Sequence, residues 1–232
     1  MGRNPKHIGI ILDGNRRFAK RLMLKPWKGH EFGYKKVKKL IEWCSELSIK
    51  EVSLYAWSLE NFNRPKQEFD YIMRLFRRAF DEVRKEKTVH EKKIRINFVG
   101  SLRLFPESVQ KSMRELMEAT RNYNNVVVNF CMAYGGRQEI VDAAKNIVAD
   151  VEAGKIRASE ISEEMFRKYL YMADEPDMII RTGGEQRLSG FLLYASSYSE
   201  LIFLQKTWPE FEKADLAACI EEFKKRERRF GK

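Results

Sequence analysis

The sequence predicts an α/β fold, one domain with a central, mostly parallel sheet of about six strands flanked by helices. Three observations carry that expectation. Short apolar runs, largely β-branched, recur at residues 8–12, 51–57, 94–99, 126–132 and 178–180, as in strands buried on both faces. Between them lie longer segments whose apolar residues return every three or four positions, the mark of amphipathic helices. No repeat, low-complexity stretch or linker interrupts the alternation, so residues 1–232 are taken as one domain.

Taken in order, residues 1–6 form a basic lead-in expected to be poorly ordered. Ile8, Ile10, Ile11 and Leu12 make the first strand, which ends at Asp13; Gly14 and Asn15 suit a turn, and residues 16–20 suit a helix start. Pro26, Gly29 and Gly33 mark residues 21–33 as a loop or broken helix. A helix over 31–47 follows, with Val37, Leu40, Ile41, Cys44 and Leu47 as its stripe; lysines 35, 36, 38 and 39 read as its solvated face. The strand at 51–57 runs into the polar loop 58–64, and Pro65 opens a helix over 66–87 with the stripe Phe69, Ile72, Met73, Phe76, Phe80 and Val83. A third strand over 94–99 precedes a helix over 106–123, ended by an Asn-rich turn. The strand over 126–132, the turn at Gly135 and Gly136, and helices over 137–151 and 162–171 follow. A fifth strand at 178–180 ends in the polar loop 181–189; apolar segments at 191–194 and 201–204 and a helix from 213 running into 224–231 complete the chain.

The chain carries 44 Lys and Arg against 33 Asp and Glu, a net charge of +11 that suits phosphates, nucleic acid or an anionic membrane surface. Cys44, Cys131 and Cys219 lack metal-ligand spacing, and their odd number argues against a disulfide framework. With no signal peptide or membrane-spanning run in evidence, a cytoplasmic location is expected, with peripheral membrane contact allowed.

The chemistry gathers in three strand-end loops, 13–17, 58–64 and 181–189, which a parallel sheet places on one rim. They offer Arg16, Arg17, Arg64, Arg181 and Arg187 beside Asp13 and Glu60. Five arginines exceed the needs of one phosphate, so two phosphorylated groups are expected. Asp13 would repel a bare phosphate unless a divalent cation lay between them; the competing reading makes Asp13 only a helix cap. Neither Gly-rich loop matches a P-loop or dinucleotide fingerprint. Of the histidines, His7 and His90 read as bystanders and His30 as a site candidate.

Residues 7–20, HIGIILDGNRRFAK, resemble the signature of the cis-prenyltransferases, the undecaprenyl diphosphate synthase family. Residues 55–65, 129–137, 177–200 and 226–231 are similar to its further blocks, in order and across essentially the whole chain. The resemblance implies a homodimeric, Mg²⁺-dependent enzyme that condenses an allylic prenyl diphosphate with isopentenyl diphosphate to form a cis double bond. It puts Asp13 at the metal with help from Glu200. Gly14, Asn15, Arg16, Arg17, His30 and Arg64 would hold the allylic diphosphate. Arg181, Arg187 and Ser189 would hold isopentenyl diphosphate, and Phe18 and Leu188 complete the substrate-contacting set. Asn61 takes the position associated with proton removal, bordered by Ser58, Leu59, Glu60 and Phe62. Because asparagine is a poor base, the departing diphosphate is expected to share that task. The prenyl chain needs an apolar tunnel, for which the stripe of helix 66–87 and small Ala56 are the candidate wall.

The chain departs from the family pattern where Pro26 replaces an arginine, with Lys25 and Lys28 as nearby substitutes. It departs again where Gln186 replaces a histidine, and where Phe18 and Phe62 replace tryptophans. These changes leave room for another acceptor or starter. A noncatalytic subunit of the same fold is the rival reading, disfavoured by the presence of Asp13, Asn61, Arg181 and Arg187. A nucleic-acid binder is a third, but no basic groove interleaved with aromatics supports it.

Overall fold

Six parallel strands form one sheet in the order β3-β4-β2-β1-β5-β6 in the computed structural model, which describes residues 4–226. They are β1 (His7–Ile11), β2 (Glu51–Ser58), β3 (Ile94–Val99), β4 (Val126–Tyr134), β5 (Met178–Arg181) and β6 (Glu200–Phe203). Every residue of β1 is buried, as a central parallel strand requires. Ile8 and Ile10 enter the larger apolar cluster, while Ile11 enters a second one with Tyr55, Ile179 and Phe191.

The helices are α1 (Asn15–Arg21), α2 (Gly29–Glu46), α3 (Lys66–Arg84), α4 (Lys87–Glu91), α5 (Glu107–Thr120), α6 (Gly136–Glu152), α7 (Glu163–Tyr169) and α8 (Lys213–Lys225). α2, α3, α5 and α8 contribute to the larger cluster through Leu40, Phe80, Met113 and Ile220 among others. After β5 the chain instead packs Phe191, Leu192 and Ala195 into the second cluster. The chain thus leaves the neighbouring strands β1 and β5 for different clusters. That divergence opens a crevice beyond their carboxyl ends, where α/β sheets bind ligands.

Several expectations change. The helix expected over 66–87 stops at Arg84, and α4 is a separate short turn. The loop after β2 is a 3₁₀ turn, Leu59–Asn63. Residues 191–194 are turns. Lys36 is buried rather than solvated, because its ammonium lies 2.5 Å from Glu212. The described part of the lead-in is tied down: Asn4 donates to Leu47 O, and Lys6 O accepts from Lys50 and Glu51 N–H. All three cysteines are buried free thiols. Among the described residues no helix is long and apolar enough to cross a membrane. The basic tail expected to extend the last helix lies, from 227 onward, outside the described residues.

Candidate active site

β1 and β5 pair with Ile11 opposite Arg181, so the residues that follow each strand share one rim. Arg181, almost wholly buried, donates from Nη2 to Asp13 Oδ2 at 2.9 Å and from Nη1 to Ser189 Oγ at 2.8 Å and Arg187 O at 2.5 Å. Its buried Nε has no partner among the described residues. The other Asp13 oxygen accepts from Gly14 N–H and lies 3.2 Å from Arg17 Nη2. Gly14, not Asp13, caps α1, so the cap reading of the carboxylate fails. Thr182, wholly buried, joins the two loops by donating to Asp13 O and accepting from Asp13 N–H. Glycine is required at 183, where φ is +88° and a Cβ would lie 2.7 Å from Arg17 and 3.1 Å from the Asp13 backbone.

The loop after β2 brings a second group to the same rim. Arg64 donates to buried Glu68 at 2.6 Å, to Asn61 Oδ1 at 3.2 Å and to His30 Nε2 at 3.2 Å. Its guanidinium lies 5.2 Å from the Trp57 ring, and Arg16 reaches the same Glu68 at 3.7 Å. Burial, with Arg64 and Arg16 beside it, pushes the His30 imidazole down to about 3, so it is a neutral acceptor near pH 7.

Below this rim runs a cavity of about 860 Å³. At its mouth are Asp13, Asn15, His30, Ser58, Leu59, Glu60, Asn61, Arg64, Arg181 and Ser189. Inside, α3 supplies Leu75, Phe76, Ala79, Phe80 and Val83, with Ile41, Ala56, Leu116 and Phe130 from other elements. Three of the six wall residues expected from the α3 stripe are therefore present; Phe69, Ile72 and Met73 are not in the lining.

Not every expected site residue converges. Phe18 meets Phe32 edge-on at 5.2 Å, and Phe62 joins Trp57, Phe69 and Phe105 in an aromatic cluster; neither lines the cavity. Leu188 packs against the second apolar cluster. Arg187 is exposed and pairs with Glu185, which in turn reaches Arg17. Lys28 pairs with Glu31 and Lys25 sits over Trp27, and neither lysine lines the cavity. Glu200 does not reach Asp13: it begins β6 opposite Met178, while Asp13 follows the other end of β1, and it pairs with Arg226.

Among the described residues no three His, Cys, Asp or Glu side chains cluster as a metal site. Asp13 with guanidinium groups around it fits a Mg²⁺ held between one carboxylate and substrate phosphates, the common arrangement for that ion. Glu68, Thr182 and Tyr55, whose hydroxyl donates to Ser189 O at 3.2 Å, support the site without having stood out in the sequence. The four-residue spacing of Arg64 and Glu68 was the available signal for the first.

Residues 11–231 match the family model described as "Putative undecaprenyl diphosphate synthase". The chain is 51% identical over 230 residues to a tritrans,polycis-undecaprenyl-diphosphate synthase (geranylgeranyl-diphosphate specific) from Pyrococcus horikoshii, covering 98% of this chain and 87% of that one. It is 48% identical over 233 residues to the protein of the same description from Methanopyrus kandleri, covering 100% and 86%. Among solved structures, lavandulyl diphosphate synthase from Lavandula x intermedia in complex with dimethylallyl diphosphate superposes with a TM-score of 0.95 at 34% identity, over 99% of both chains. A probable undecaprenyl diphosphate synthase from Campylobacter jejuni gives 0.82 at 33%, over 100% of both.

Proposed function

The chain belongs to the undecaprenyl diphosphate synthase family, and from that premise we propose that it is a Mg²⁺-dependent cis-prenyltransferase that extends an allylic prenyl diphosphate with isopentenyl diphosphate. The observation that carries the proposal is the meeting of Asp13, Arg181 and Arg64 at the mouth of an apolar cavity, with Arg17 beside Asp13. Leaving of the allylic diphosphate builds negative charge, and fixed guanidinium groups stabilise that charge most in the transition state. The metal, when bound at Asp13, adds Lewis-acid stabilisation of the same oxygens. Arg64, His30 and the α1 arginines receive the allylic head, and Arg181, Ser189 and Arg187 receive that of isopentenyl diphosphate. Because the Asn61 carbonyl already accepts from Arg64, its amide N–H is left to donate to a phosphate oxygen. The proton is then taken by the departing diphosphate, which Asn61 orients.

The archaeal relatives' described specificity supports geranylgeranyl diphosphate as starter. A cytoplasmic homodimer that meets the membrane to release its product is part of the same proposal. Val141 and Val148, seven apart on α6 and about half exposed, suit the contact between copies. The deciding experiment mixes the purified full chain with geranylgeranyl diphosphate, labelled isopentenyl diphosphate and Mg²⁺. Label extracting into butanol is expected, in products whose masses rise by isoprene units. No label with any of a panel of starters would refute catalysis and favour the noncatalytic subunit.

A further inference from the structure

Beside the mouth of the cavity, the end of α1 presents apolar side chains to solvent. Met23 N–H donates to Lys20 O at 3.0 Å, and Leu24 N–H to Ala19 O at 2.9 Å. In this helix ending the residue after the cap is left-handed, and glycine is usual there. Here it is Met23, at φ +56° and 95% exposed. Glycine would make the same turn without strain, so the fold has no need of a methionine at this place. Leu22, Leu24 and Phe32 are also exposed. One exposed apolar residue is ordinary; Leu22, Met23 and Leu24 are three in a row and form one exposed apolar edge.

The sequence around it is basic. Between Asp13 and Glu31 the chain carries Arg16, Arg17, Lys20, Arg21, Lys25 and Lys28 and no acidic residue. Arg16, Arg17, Arg21 and Lys28 pair with Glu68, Asp13, Glu210 and Glu31, which leaves Lys20 and Lys25 as the cations without a carboxylate partner among the described residues. Lys25 lies 5.4 Å from the Trp27 ring, a cation beside an aromatic of the kind that sits at a lipid headgroup boundary. The segment is anchored to the site at both ends. A Cβ on Gly29 would fall 1.9 Å from Asn15 O, so the start of α2 lies against the start of α1, where Asn15 lines the cavity.

We propose that residues 22–27 dock the enzyme on an anionic lipid bilayer. Leu22, Met23 and Leu24 enter the acyl boundary, and Lys20 and Lys25 face the headgroups. A second copy is the poorer occupant, because a two-fold contact would set the same cations against each other. The choice of a bilayer rests on the reading of the product as a polyprenyl diphosphate, a lipid that must leave the cavity into a membrane.

Flotation of the full chain with vesicles of phosphatidylcholine, alone or mixed with phosphatidylglycerol, tests the proposal. The chain is expected to float with the mixed vesicles and to detach as salt is raised. Met23→Asp is expected to weaken that binding by about tenfold or more while leaving turnover in vesicle-free detergent unchanged. Met23→Trp should show blue-shifted emission when mixed vesicles are added. The proposal is overturned if the wild-type chain does not float, if Met23→Asp floats equally well, or if that variant loses vesicle-free turnover. It is also overturned if Met23→Asp changes only the sedimentation of the chain, which would make the loop a contact between copies. A wild-type chain that floats but shows no turnover would uphold the docking surface and sink the catalytic reading alone.

Discussion

Asp13 and Arg181 form an ion pair of 2.9 Å between the ends of neighbouring strands, with the guanidinium almost wholly buried and the carboxylate about a third exposed. The buried partner fixes the direction of the carboxylate, and the exposed one meets the ligand. Asp13→Asn keeps the shape and an oxygen for Arg181, so the fold should survive. It removes the charge that would hold a metal, and turnover should fall about 100-fold or more. Steady-state kinetics with circular dichroism on the same preparation check both halves. A variant with near-normal turnover would remove Asp13 from its role.

Among the described residues Glu68 is the only buried carboxylate touching Arg64, and Arg16 leans on it too. Glu68→Gln leaves the largely buried Arg64 without its counter-charge. A loss of about 1–3 kcal/mol in stability is expected, read from urea unfolding. Because Arg64 also carries His30 and Asn61, the KM for the allylic diphosphate should rise more than that for isopentenyl diphosphate. Equal rises would mean that Glu68 supports the whole fold rather than one subsite.

His30 gives a pH dependence with a definite sign. Its folded pKa is pushed down to about 3 from 6.5. Below pH 6.5 the unfolded chain therefore binds a proton that the folded chain refuses, and stability falls with acidification. From 6.5 to about pH 5 the loss from this group should be about 1–2 kcal/mol. His30→Gln should flatten that part of the curve of melting temperature against pH. An unchanged curve would show that the imidazole is charged or exposed in the folded state.

The sheet was legible because its inner strands β1 and β4 are apolar runs, as a parallel sheet covered on both faces needs, while the edge strand β3 alternates and exposes Arg95. The shared rim followed from parallel order, which is why Asp13 and Arg181 could be joined from the sequence. What was hidden depends on partners far along the chain. Lys36 looks like its lysine neighbours until Glu212 arrives from the start of α8. Phe69 and Phe76 share one helical stripe, yet only Phe76 lines the cavity, because periodicity gives a face and not what covers it. Glu200 carries a matching motif, but its strand places it at the opposite end of the sheet from Asp13.

The cavity wall separates a length-setting role from plain packing. Ala79 lines the cavity and lies thirteen residues into α3, about 20 Å beyond the rim end of the helix at 1.5 Å per residue. Its methyl group leaves room that a growing chain would need. Ile72, wholly buried on the same helix, is not in the lining. The position of Ala79 therefore calls for a bulky replacement: Ala79→Phe should leave the first addition to a short starter intact and shorten the final products, read by their masses. Ile72→Val should cost about 0.5–1.5 kcal/mol of stability and leave product length unchanged. If both variants shortened the products equally, loosening of α3 rather than filling of the cavity would be the cause. If neither did, the prenyl chain would have to run elsewhere than along this helix.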